Sequence, residues 1–185
     1  MAWTVDASGT KTLTVPSTCT FTNGSANIGV TNTCAANDMV VFSTSGALPT
    51  NFTAGTIYFV ISTGLSSSNI QVSATKGGAA ISAGSAGSGT QTGTFEHVLD
   101  EPTTVATYVF SADAVNLANG DVIELKCYDM VDGSNYRDVW KLTYQHAQAR
   151  LAKAFPPLAV TTQAKFTLKQ TAGTGRAFPW SVRRI

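Results

Sequence analysis

The stretch from Gln163 to Ile185 constrains this chain more than any other. Ala164, Phe166 and Leu168 alternate with Lys165, Thr167 and Lys169, and later Phe178, Trp180 and Val182 alternate with Ala177, Ser181 and Arg183. A strict period of two gives each strand one buried and one wet face. Thr171-Ala172-Gly173-Thr174-Gly175 lies between them and supplies glycines for a tight turn. The reading is a closing β-hairpin. Pro179 has no backbone donor, which predicts an edge position or a bulge for the last strand.

Charge divides the rest. Residues 1–94 contain only Asp6, Lys11, Asp38 and Lys76, while nine acidic and ten basic residues fall in 95–185. The shift predicts two modules, 1–94 and 95–185. In the first, short runs at Trp3–Val5, Thr12–Val15, Thr18–Thr22, Ala26–Thr31, Met39–Ser43, Thr56–Ser62 and Asn69–Ala74 are separated by turn residues. Such spacing reads as a small β barrel or sandwich. Residues 77–93 are almost wholly Gly, Ala, Ser and Thr, and read as ordered to about Ile81 and mobile beyond it. In the second module, strands at Val105–Ser111, Val122–Tyr128 and Tyr136–Tyr144 precede the closing pair, with Trp140, Leu142 and Tyr144 facing the core. Gln145–Ala154 is Ala-rich and reads as a short helix. The fold class is therefore all-β, as two small antiparallel domains: a barrel or sandwich module and a C-terminal β-sandwich.

Composition excludes several functions. Charged residues are 12% of the chain, about half the usual share, and the net charge is +1. Nothing here attracts nucleic acid or an acidic membrane over a broad surface. No apolar run approaches the roughly 20 residues of a membrane helix, and Met1–Asp6 does not read as a secretory signal.

Specific chemistry finds little support. Thr171–Arg176 lacks the Lys-Ser/Thr and the following helix that a phosphate loop needs. His97 and His146 are the only histidines, and no Gly-x-Ser-x-Gly elbow supports a hydrolase. No Cys/His cluster suggests zinc. Asp129, Asp132 and Asn135 miss the order of a calcium loop and read as turn residues bonding their own backbone. Cys127 reads as a core thiol. Cys19 and Cys34 flank the Asn23-Gly24 turn and could face one another; a reducing compartment of synthesis argues against a bridge, and later oxidation argues for one. Glu96, Asp100 and Glu101 form an acidic group, either a solvated turn or a contact for a basic partner. The expectation is a protein with no cofactor, no metal and no catalytic residues.

Gly46-Ala47-Leu48-Pro49-Thr50-Asn51-Phe52-Thr53-Ala54-Gly55-Thr56-Ile57-Tyr58-Phe59-Val60, continued by Ile70–Thr75 and Gly77–Ile81, resembles a module recurring in structural proteins of tailed bacteriophages. Phe166–Arg176 with Phe178-Pro179-Trp180 resembles a second family of small phage virion proteins. That likeness implies that the uncharged module is an insertion and that residues 1–15 pair back onto the C-terminal domain. It further implies a virion component assembled in the host bacterial cytoplasm but not which part of the virion; small size and the lack of any long fibrous repeat point to a capsid decoration protein whose partners are the major capsid protein and copies of itself. The alternative it leaves is a tail fibre or receptor-binding protein recognising host-surface glycans, for which Trp3, Tyr58 and Tyr136 are the candidate aromatics. Arg183 and Arg184, with Arg176, are the expected partner-binding residues.

Overall fold

The computed structural model describes residues 2–185. Among them are fifteen strands, and no helix long and apolar enough to cross a membrane. The chain is all-β. It divides into two compact units, a split unit (up to Leu13, and Val98–Ile185) and an inserted unit (Thr14–His97). The chain passes between the units at Leu13–Thr14 and at His97–Val98, the second close to the charge shift near residue 94.

The split unit opens with β1 (Thr4–Thr12), one strand with a bulge between Val5 and Ala7 where the sequence suggests two runs. The inserted unit follows with β2 (Ser17–Phe21), β3 (Ile28–Gly29), β4 (Met39–Thr44), β5 (Ile57–Val60), β6 (Asn69–Ile70), β7 (Val72–Ser73) and β8 (Gln91–Asp100), whose last residues, from Val98, belong to the split unit. They form a curled ribbon in the order β6-β3-β2-β8-β4-β5-β7. Its core packs Phe21, Phe42, Phe52 and Tyr58 ring against ring, at centroid separations of 5.0–5.8 Å.

Residues 77–93 are not the mobile linker their composition suggests. Ala83 is buried and exchanges backbone bonds with Ser25 and Gly24; Gly84 N–H donates to Thr50, and Ala47 and Ser88 donate to each other. The small residues are there for close approach. A Cβ on Gly46 would sit 2.6 Å from the Ser88 carbonyl oxygen, and one on Gly87 2.6 Å from that of Ala47.

The split unit continues with β9 (Ala106–Asp113), β10 (Val122–Asp129), β11 (Arg137–Gln145), β12 (Ala152–Ala154), β13 (Leu158–Val160), β14 (Ala164–Ala172) and β15 (Ala177–Arg184). One sheet runs β1-β15-β9, with β12 and β13 sharing the free edge of β9; the other contains β11-β10-β14 followed by β8. Phe110, Phe166, Phe178, Ile123, Leu125 and Leu168 form the core.

Three expectations are corrected here. β14 and β15 are not a paired hairpin: the turn between them crosses from one sheet to the other. β15 is not an edge strand either, since β1 and β9 flank it. Its ladder to β9 begins at Trp180, so the missing Pro179 donor falls just outside that ladder. Residues 145–154 form the end of β11, bends and β12 in place of a helix, because His146 takes a left-handed φ of 59° and its N–H donates to the Asp121 carbonyl.

Trp140 is a fourth correction. Its partner across the ladder is Cys127, so the expected face is right. Yet β11 ends its sheet, and Trp140 remains 40% exposed while Leu142 and Tyr144 pack against the core.

Candidate functional site

The three arginines proposed for partner contact have separate fates. Arg176 pairs through Nε with Asp121, whose carboxylate is buried. Asp121 also accepts the Thr174 N–H at 2.9 Å and the Ala118 N–H at 2.9 Å. Burial alone would raise this carboxyl, but the two backbone N–H groups, and then Arg176, outweigh it and hold it below the usual range. The glycine-rich loop thus holds an anion after all, and the anion is the chain's own. Gly173 is required there twice over, by its φ of 93° and because a Cβ would collide with Asp121 Oδ1.

Arg184 Nε lies 3.1 Å from Asp6 Oδ1. Nearby, Asp100 is pushed up to about 6, first by burial and then by the Asp6 carboxylate, and its Oδ2 is buried without a hydrogen-bond partner. Arg184 therefore helps neutralise a carboxylate pair inside the unit. Arg183 is the one of the three left exposed with no ion pair among the described residues.

The acidic group disperses along β8 and beyond. Glu96 is buried opposite Met39, and Glu101 reaches Lys165 Nζ at 3.2 Å. That ammonium also sits 4.2 Å from the centre of the Tyr136 ring. Asp132 accepts the Ser134 and Asn135 N–H groups, as a self-bonded turn should, whereas Asp129 lies in β10 opposite Ala164. Gly120 N–H donates to His146 Nδ1 at 3.1 Å. Cys19 and Cys34 are not joined. Cys19 lies in the core, where burial pushes its thiol up to about 12.

One constellation escaped the sequence reading. Cys34, Asp38 and His97 bring donor atoms within 4.8 Å of one another, with Asp38 and His97 fully buried. Fifty-nine residues separate Asp38 from His97, and no spacing motif signals the meeting. The hydrogen bonds decide what it is. Thr14 N–H donates to His97 Nε2 at 2.9 Å, so Nε2 carries a lone pair and the ring proton is on Nδ1. Nδ1–H then donates to Asp38 Oδ2 at 2.7 Å, and the same oxygen accepts the Ala35 N–H at 2.8 Å. A metal on Nδ1 would drive the proton to Nε2, against the Thr14 donor, so the residues do not fit a metal centre. Nor has the ring a lone pair left to act as base for the Cys34 thiol. The arrangement is a clasp: it ties the first residue of the inserted unit to the last through a buried, fully bonded chain.

No protein-family model, no curated protein and no solved structure matches this chain.

Proposed function

We propose that the chain is a non-enzymatic structural protein of a tailed-phage virion, and specifically a decoration protein that reinforces the capsid. The observation that carries the virion reading is the likeness of residues 46–60 and 166–180 to phage structural proteins, and the chain's small size without a long fibrous repeat favours decoration over a fibre. A partner that binds only the assembled lattice lowers the lattice's free energy by mass action. Of the three arginines named for partner contact, Arg183 is the one left without an internal ion pair among the described residues, and so the one available to a partner's carboxylate. Of the aromatics named for the receptor-binding alternative, Tyr58 is buried in a core and the Tyr136 ring lies against Lys165 with its hydroxyl buried, while Trp3 remains exposed.

Labelling the protein and imaging purified virions tests the reading. Label spread over the head in many copies is expected. Label confined to a tail tip would replace the decoration role with a receptor-binding one, and absence from particles would end both.

A further inference from the structure

The outer face of the β1-β15-β9 sheet carries a self-complementary pattern. Register places Val5, Arg183 and Val109 side by side, then Ser8, Ser181 and Ser111 in the next row. The adjoining residues Phe110, Phe178 and Val182 are buried, so these rows point away from the core. One row further on, Asp113 and Pro179 line a shallow pocket with Ala152, Ser111 and Ser181. Val5, Val105 and Ile185 are exposed, and a groove of about 510 Å³ runs beside Val105, Thr107, Ala159 and Ile185.

Arg183 and Asp113 are the charges of this face, and neither has an ion pair among the described residues. Asp113 Oδ1 accepts only the Val115 N–H, at 3.0 Å. The four steps from Val109, beside Arg183, to Asp113 span roughly 13 Å at strand rise, too far for the two charges to pair within one chain.

We propose that this face binds a second copy of the chain, packed sheet face to sheet face, with Arg183 of each copy meeting Asp113 of the other. A two-fold axis running across the strands at the Ser111–Ser181 row exchanges the arginine row with the aspartate row. Those serines, whose hydroxyls bond each other at 2.9 Å, are short enough to let the faces approach. An acidic foreign partner would satisfy Arg183 and oppose Asp113; a basic one would do the reverse. A copy of the chain supplies both signs at the required spacing by symmetry. The face measures about 500 Å² from its strand count and spacing, less than the roughly 800 Å² per partner of a standard interface, so a weak, micromolar or looser dimer is expected. This deepens the expected partnership with copies of itself and stands independently of which virion protein is the other partner.

Analytical ultracentrifugation of the full chain at rising concentration and low salt tests it. Wild type should pass from monomer to dimer. Arg183→Asp and Asp113→Arg should each weaken dimerisation by about tenfold or more, since each sets like charges against one another twice. The double exchange should restore it to near wild type, because both pairs re-form with signs reversed. Circular dichroism checks that every variant is folded, and Ser181→Trp, which would hold the faces apart, is a second way to abolish the dimer. A monomer at all concentrations, single variants that dimerise normally, or a folded double exchange that fails to recover would each overturn the proposal.

Discussion

The inserted unit and the split unit solve the same problem in different ways. Each buries aromatic rings between strands and must satisfy the polar groups around them. The inserted unit contains Asp38, Lys76 and Glu96 as its only charged residues, and two of those are buried. It relies on hydroxyls, amides and backbone: Thr14 against Thr33, Asn32 against the Val30 and Ser66 carbonyls, and the His97 clasp. The split unit uses ion pairs, joining Lys141 to Glu124, Lys165 to Glu101, Arg176 to Asp121 and Arg184 to Asp6. Buried hydrogen bonds respond little to salt, whereas partly exposed ion pairs are screened by it.

The largest expected effect is in the split unit's core. Phe166 is fully buried between Tyr108 and Phe110, and Phe166→Ala should cost about 3–5 kcal/mol. All three tryptophans belong to this unit, so their emission during chemical denaturation reports it selectively. Trp140→Ala in the same assay should cost less than about 1 kcal/mol, since its side chain is already half in water. A larger loss would restore Trp140 to the core.

Next is the clasp. Asp38→Ala leaves the His97 Nδ1–H and the Ala35 N–H without an acceptor in a buried site, which should cost about 2–4 kcal/mol. Amide hydrogen exchange should accelerate at Val40, Phe42 and Val60 while the tryptophan-reported transition stays put. Equal loss in both units would mean that the clasp is not confined to the inserted one.

A further effect distinguishes the units by pH. Asp100 in the split unit is raised to about 6, above its unfolded value. The folded state therefore binds the proton more tightly, and stability should rise as pH falls from 7 through about 6 and level off near the ordinary carboxylate range. Asp121 has the opposite sign: its contribution is present above the ordinary range and is lost as pH falls through the lower folded value. Asp100→Asn should remove the gain between pH 7 and 5 when tryptophan emission is followed. If the gain persists, another group is its source.

Arg183→Glu combined with Arg184→Glu, the obvious charge reversal from sequence, would not be a clean test of docking. A glutamate at 184 would face Asp6 and Asp100. Arg183 is better changed alone.

Alternation and composition determined a good deal by themselves. They fix the all-β class, the strands β10, β14 and β15, and the core faces of Phe166, Leu168, Phe178 and Val182, because a strand's two faces are set by a period local to the chain. They also separate a nearly uncharged region from a charged one. What they leave undetermined depends on partners distant in sequence. The turn at 171–175 is legible; whether its strands pair or cross between sheets is not, and the Asp121 carboxylate that fills the loop lies fifty residues away. Small residues in 77–93 look the same whether a chain is loose or packed against another backbone, and only the close approach of Gly46 and Gly87 to their neighbours tells which. Trp140 has the right face, but burial needs a neighbour on the far side of its strand, and sheet order denies it one. The clasp joins Thr14, Ala35, Asp38 and His97 across the whole inserted unit. No local rule brings such groups together; burying them requires that their hydrogen bonds close, and that condition is met only once the fold is complete.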